Sequence, residues 1–180
     1  MPNWIEGCFR ARGKREDINN FLVNGLNPVT FFGDDAKVKK EVNEDGISYI
    51  TTDEDGKEEW YRGSVHIIGT CRQFLELKYG DIYVMQKENG EVQFAHDFKG
   101  AWGLDTDTFK TIAKKYNIDI KVNGYECGME FTQIFEVNRN GAILQDSEKS
   151  YEDWTWDCDM PILLCILQLV LYYLILNTLI

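Results

Sequence analysis

Two histidines, His66 and His96, and five cysteines are the side chains of this sequence that could act as bases, nucleophiles or metal ligands. His96 is followed by Asp97, and a carboxylate beside an imidazole can fix the tautomer of a general base. In a regular strand, however, adjacent residues point to opposite faces of the sheet, so these two could not pair directly. His66 lies within an apolar stretch and is interpreted as a hydrogen-bonded structural residue.

Neither nucleophilic catalysis nor metal binding is favoured by the spacing of the remaining candidates. A cysteine nucleophile would need Cys71 or Cys127 to meet His96 in space. Zinc needs three or four ligands with short-range pairs, and no Cys-x-x-Cys pair occurs. Residues 53–56 (DEDG) are similar to the start of a calcium loop, but the later ligand spacing differs. We therefore predict no catalytic residue, no metal and no cofactor, with a small-ligand binder or cryptic enzyme using His96 and Cys127 as an alternative.

The acidic residues are concentrated in two segments. The chain has 30 acids against 19 bases, a net charge of −11. Residues 34–59 hold ten acids and four bases, residues 146–159 hold six acids and one base, and the rest is balanced. This charge disfavours direct binding of nucleic acid, because affinity for phosphates comes from Lys and Arg. The two segments are either solvated surface or an acidic face for a basic partner protein.

The second interpretation predicts a protein-binding surface. Two tryptophans, Trp154 and Trp156, stand among acids near the end of the second segment, and aromatic anchors with a polar rim are typical of interfaces. An alternative is that both tryptophans lie on one strand face that closes the core. The predicted protein-binding residues are Asp53, Glu54, Asp55, Glu58, Glu59, Glu152, Asp153, Trp154, Trp156 and Asp157.

The first residues have the pattern of a strand followed by a helix. Residues 4–12 alternate between two faces, which is strand periodicity. Residues 14–26 carry an apolar stripe at helical spacing and end at a glycine and an Asn-Pro pair. The predicted strand places Ile5, Gly7, Phe9 and Ala11 on one face and Trp4, Glu6, Cys8, Arg10 and Arg12 on the other.

The strongest local patterns follow residue 100 and predict one helix and three strands. Asp105 or Thr106 can cap the first turn of the helix, and Asn117 suits a left-handed terminating position. Asn140-Gly141 is a strong signal for a tight hairpin. The predicted elements are strands over residues 118–123, 130–137 and 142–144 and, before them, a helix with the apolar stripe Phe109, Ile112, Ala113 and Tyr116.

The middle of the chain is predicted to consist mainly of hairpins. Asp55-Gly56 and Asn89-Gly90 each separate two runs with strand character. Antiparallel hairpins with two helices indicate an α+β domain. The other assignments are a strand over residues 64–71, a helical turn over residues 73–78, and a loop or short insertion over residues 29–46.

A set of scattered residues resembles a known family. They are Asp97-Phe98, Trp102, Phe109, Lys115-Tyr116, Tyr125-Glu126, Gly128-Met129, Phe131 and Asn140-Gly141, with Met1-Pro2-Asn3-Trp4 at the start and Trp154, Trp156-Asp157-Cys158 near the end. This pattern is similar to the YubB-like group of small phage and plasmid proteins, which has no assigned biochemical function. The resemblance implies a mobile-element origin and a ferredoxin-like antiparallel sheet with two helices on one face, to which the hairpins would be additions.

The last residues differ in composition from the predicted single domain of residues 1–159. Residues 160–180 contain no charge, and a helix over 162–180 would be about 28 Å long, close to the thickness of a bilayer core. This favours a membrane tail anchor, although flanking Lys and Arg are absent. An altered C-terminus, for example after a change of reading frame, and a buried core helix are the alternatives.

Together these patterns predict a non-enzymatic, acidic accessory protein of a phage or other mobile element. Its partner would be a host protein with a basic surface, and an anti-defence (anti-CRISPR-like) inhibitor of a nucleic-acid-binding enzyme fits this charge. The widely spaced cysteines and the absence of a signal peptide predict reduced thiols and a location in the host cytoplasm. The alternative is a tail-anchored membrane protein with a cytoplasmic α+β domain.

Overall fold

The computed structural model describes residues 3–30, 37–53 and 55–158, most of which lie in antiparallel strands. The elements in chain order are β1 (Trp4–Gly13), α1 (Arg15–Asn24), β2 (Leu26–Val29), β3 (Lys39–Asn43), β4 (Gly46–Thr52), β5 (Glu58–Trp60), β6 (Gly63–Ile67), β7 (Gln73–Leu77), β8 (Asp81–Tyr83), β9 (Met85–Gln86), β10 (Val92–Ala101), α2 (Thr106–Tyr116), β11 (Asp119–Glu126), β12 (Phe131–Val137), β13 (Ile143–Ser150) and α3 (Trp154–Asp157).

The strands form two sheets. The larger has nine strands in the order β13-β12-β11-β1-β10-β7-β6-β2, with β9 pairing β10 beside this path. The smaller has four strands in the order β3-β4-β5, with β8 paired to β4. Helix α1 contacts β1 and β10 of the larger sheet and β3 and β4 of the smaller one, so it is enclosed between the two sheets.

The predicted fold class, a ferredoxin-like α+β sheet with two helices and hairpin additions, is wrong. Strands dominate the described chain, and the hairpins of its middle part build a second sheet instead of extending the first. The physical reason is burial: β4 begins with four consecutive buried residues, Gly46 to Tyr49, which a solvated hairpin would not have. Tyr49 donates its hydroxyl hydrogen to the carbonyl of Leu22 at 3.2 Å and so fixes this sheet to α1.

Two local assignments in the same region are also wrong. The predicted helical turn over residues 73–78 is strand β7, in which Gln73, Leu75 and Leu77 are buried and the residues between them are half-exposed. The predicted loop over residues 29–46 contains β3, which pairs with β4 across a turn at Glu44. The alternating burial of residues 73–77 shows a strand in the first case, and the hairpin pairing of β3 with β4 shows one in the second.

The hairpin signals and the larger helices are confirmed. Asp55-Gly56, Asn89-Gly90 and Asn140-Gly141 all lie in turns between antiparallel strands, the first between β4 and β5. In α2, the Asp105 carboxylate accepts a hydrogen bond from the Thr108 amide at 3.3 Å, and Asn117 has a φ of 55°. The side chain satisfies one free amide of the first turn, and the left-handed residue ends the helix.

A single apolar core lies between the larger sheet and the helices. The inner face of β1 carries Ile5, Phe9 and Ala11, all buried, as its alternation predicts. The Phe9 ring lies 5.9 Å from Phe21 of α1 and 5.8 Å from Phe109 of α2, measured between ring centroids. Phe9 is therefore the point at which both helices meet the central strand.

The hydrophobic segment of residues 160–180 lies outside the described residues. Within residues 3–158, apart from the gaps, no helix is long and apolar enough to cross a membrane.

Candidate functional site

His66 is hydrogen-bonded, and His96 is half-buried within the larger sheet. The Nε2 of His66 lies 3.0 Å from the carbonyl oxygen of Thr70, which confirms the predicted hydrogen-bonded residue. His96 lies on the inner face of β10, where burial lowers its pKa. Asp97 lies on the outer face and forms an ion pair with Lys78 at 2.6 Å. The strand thus separates the imidazole from the adjacent carboxylate, as expected for neighbouring residues.

The register of the larger sheet keeps Cys127, one of the two candidate nucleophiles, away from His96. Phe9 pairs with His96 on one side and with Val122 on the other, and Cys127 lies five residues beyond Val122. At the rise of a strand this is a separation of roughly 16 Å. In the part of the chain that is described, no three His, Cys, Asp or Glu side chains cluster as metal ligands would.

The first group of predicted binding residues lies in the β4–β5 hairpin, where three of its carboxylates already have partners. The Asp53 carboxylate accepts amide hydrogens from Asp55 at 3.0 Å and Lys57 at 2.8 Å, so it closes the turn. Glu59 forms an ion pair with Lys57 at 2.8 Å, and Glu58 lies 3.7 Å from Lys39. Glu54 lies outside the described residues. Two carboxylates of the hairpin therefore already face lysines.

The second predicted group lies in and around α3 and has a different arrangement. The Asp153 carboxylate accepts hydrogen bonds from the amide of Trp156 at 3.2 Å and the hydroxyl of Thr155 at 2.9 Å. Trp154 is buried, with its ring centroid 5.3 Å from that of Tyr151. Trp156, in contrast, is 82% exposed. The two tryptophans therefore do not share a strand face, because they point to nearly opposite sides of the single helical turn of α3.

The two acidic groups do not form one surface. Tyr125, which packs against Trp154 at 6.3 Å, pairs with Glu6 on the outer face of the larger sheet. The β4–β5 hairpin belongs to the smaller sheet, which lies beyond α1 on the opposite side. A partner that contacts α3 would thus leave the hairpin free.

The outer face of the larger sheet also carries aromatic residues that the sequence did not assign to a site. Trp4 lies 6.3 Å from Phe74 of β7, and the Arg72 guanidinium lies 5.3 Å from the Trp4 ring and 5.8 Å from the Trp102 ring. Arg72 and Trp102 both have a positive φ, which is uncommon outside glycine. The alternation of β1 already indicated that Trp4 faces outward, but the position of Arg72 depends on the pairing of β7.

No protein-family model matches this sequence, and neither a curated protein nor a solved structure matches it. The resemblance to the YubB-like group therefore stays a prediction.

Proposed function

We propose that this protein is a non-enzymatic binding factor that recognises a host protein with a basic surface through α3. The tryptophan-acid surface, as we define it, consists of Trp156 with Glu152, Asp153 and Asp157. The observation that carries the proposal is the 82% exposure of Trp156 on a turn whose other residues are fixed. Tryptophan is among the side chains most enriched at binding hot spots, and the rim of an interface is polar.

The turn that presents Trp156 is closed by its own backbone hydrogen bonds and lies between two buried residues. The Asp157 amide donates to the carbonyl of Asp153 at 2.8 Å, and the Cys158 amide donates to that of Trp154 at 3.2 Å. Trp154 and Cys158 are themselves buried. Because the backbone is already ordered, a partner would not have to pay the entropy of ordering it. The arrangement supports specific binding more than a solvated loop would.

The charge of this surface favours a basic partner. Glu152, Asp153 and Asp157 are exposed acids, and opposite charge on a partner would accelerate association and fix its orientation. A nucleic-acid-binding enzyme of the host cytoplasm has such a surface in its binding groove, and occupying that groove would inhibit it. This step rests on charge and on the resemblance to phage and plasmid proteins.

The substitution Trp156→Ala is expected to weaken partner binding at least tenfold without lowering thermal stability, because the side chain is exposed. The full chain would serve as bait in host lysate, and the affinity of the purified partner would then be measured by calorimetry. Trp60→Ala is the matched control, since Trp60 is 52% exposed on β5 of the smaller sheet. Equal affinity of the two variants would contradict the proposal.

Removing the charges of the tryptophan-acid surface should act on the association rate. We expect Glu152→Gln with Asp157→Asn to slow association and to flatten its dependence on salt, because steering is screened by ions. The comparison variant is Glu58→Gln with Glu59→Gln, whose carboxylates already face lysines. Rates measured by surface plasmon resonance at several salt concentrations would distinguish them, and a larger effect of the hairpin variant would move the binding site there.

A further inference from the structure

A groove on the outer face of the larger sheet carries positive charge on an otherwise acidic protein. It has a volume of about 330 Å³ and runs over β1, β10 and β11, with β9 at one side and β12 at the other. Three cations line it, namely Arg10 and Arg12 from β1 and Lys121 from β11, together with the carboxylates of Asp119 and Glu136. A volume of this order is at the lower end of the range for small-molecule sites.

The pairing of β1 with β11 places two of these cations directly opposite each other. Arg10 is the cross-strand partner of Lys121, and like charges in this position destabilise a sheet. Lys121 has a compensating ion pair with Glu136 at 2.7 Å. Arg10 donates to the side-chain oxygen of Asn123, and no carboxylate of the described residues forms an ion pair with it. Arg10 is therefore a cation of the sheet with no ion-pair partner among the described residues.

On its other side, towards β10, Arg10 has a small uncharged neighbour. On β10 this neighbour is Ala95, whose small side chain leaves the space above it open. Met85 of β9 is 52% exposed and lines the same groove, and Gln93 of β10 adds an amide. One part of the groove therefore holds the charged side chains, and the other is apolar with a single hydrogen-bonding side chain.

We propose that this groove binds the phosphate of a small phosphorylated molecule of mononucleotide size, with Arg10 as the main phosphate ligand. Arg12 and Lys121, which are ion-paired with Asp119 at 3.0 Å and Glu136 at 2.7 Å, flank it. Guanidinium groups match the geometry of phosphate oxygens and can donate two parallel hydrogen bonds. The planar or apolar part of the ligand would lie against Met85 and Ala95. Asp119 and Glu136 line the same groove, and together with the net charge they disfavour a long polyanion.

The test measures binding of adenosine 5′-monophosphate to the full chain by calorimetry. We expect the wild type to bind, and Arg10→Ala to bind about tenfold more weakly or worse, because a charge-assisted hydrogen bond is lost. Arg62→Ala, an exposed arginine between β5 and β6, is the control and should bind as the wild type does. Thermal unfolding without ligand gives a second measurement. Arg10→Ala should not lower the melting temperature, because the substitution removes a repulsion from Lys121.

Comparison ligands identify the chemistry. Adenosine should fail to bind, and ribose 5-phosphate should bind more weakly than the nucleotide because it has no ring to lie against Met85. The proposal is overturned if the wild type does not bind the nucleotide, or if Arg10→Ala and Arg62→Ala bind it equally. Adenosine that binds as tightly as the nucleotide would also overturn it. A single-stranded oligonucleotide that binds more tightly than the mononucleotide would contradict the ligand size.

Discussion

Replacing Phe9 by alanine is expected to lower the free energy of unfolding by about 3–5 kcal/mol. The side chain is fully buried, and its ring packs against Phe21 of α1, Phe94 of β10 and Phe109 of α2. Truncation would leave a cavity at the point where both helices contact the central strand. Since domains of this size are stable by roughly 5–15 kcal/mol, this one substitution would remove a large part of the total.

Chemical denaturation of the full chain, followed by tryptophan fluorescence, measures this loss. Tyr79→Ala is the control, since Tyr79 is 76% exposed and its removal should change the free energy by less than about 0.5 kcal/mol. A loss of under about 1 kcal/mol for Phe9→Ala would mean that the two helices are not held by this cluster, and the description of the core would have to change.

The substitution Asp119→Asn is expected to lower the free energy of unfolding by about 2 kcal/mol at pH 7. Burial alone would raise the pKa of Asp119, but hydrogen bonds from Arg139 and Arg12 outweigh it and lower the pKa from 3.8 to about 2. The Arg139 side chain donates to both carboxylate oxygens, at 3.1 and 3.0 Å, and lies 2.8 Å from Glu91. This network connects the start of β11 to the turn before β13.

The contribution of Asp119 to the free energy of unfolding should decrease as the pH falls. The pKa of Asp119 is lower in the folded state than in the unfolded chain, so its stabilisation is complete above about pH 4 and is lost as the pH falls towards 2. Denaturation curves between pH 7 and 2 should therefore show the wild type and Asp119→Asn converging in acid. Asp97→Asn is the control, because its ion pair with Lys78 is largely exposed and should contribute little. A constant difference across the pH range would rule out this origin of the stability.

Local periodicity predicted the elements whose contacts lie near in sequence. The alternation of β1 placed Ile5, Phe9 and Ala11 on one face, which is the buried one, and the Asx-Gly pairs identified three turns. The second sheet could not be predicted in this way, because β4 pairs with β8, more than thirty residues later. The β7 segment was wrongly predicted as a helical turn for another reason, because its first buried residue is the polar Gln73. The side-chain amide of Gln73 donates to the carbonyl of Gly103 at 2.8 Å.

The candidate sites show the same limit. Composition drew attention to Trp154 and Trp156, but residues two apart share a face only in a strand, and in a helical turn they point in nearly opposite directions. The sequence could not decide which of them is exposed. The groove at Arg10 could not be predicted for a different reason, since it combines side chains from five strands whose register is set by tertiary pairing.

The position of β1 in the centre of the larger sheet has a consequence for biosynthesis. Its two neighbours are β10 and β11, and the nearer begins at Val92, almost eighty residues after β1 ends. At roughly 5–20 residues per second, the ribosome needs about 4–16 s to supply this first partner. During that interval both edges of β1, with Phe9 on one face, have no sheet partner to join. A newly made chain would therefore depend on molecular chaperones at its N-terminus, and slowing translation before codon 92 should increase its aggregation.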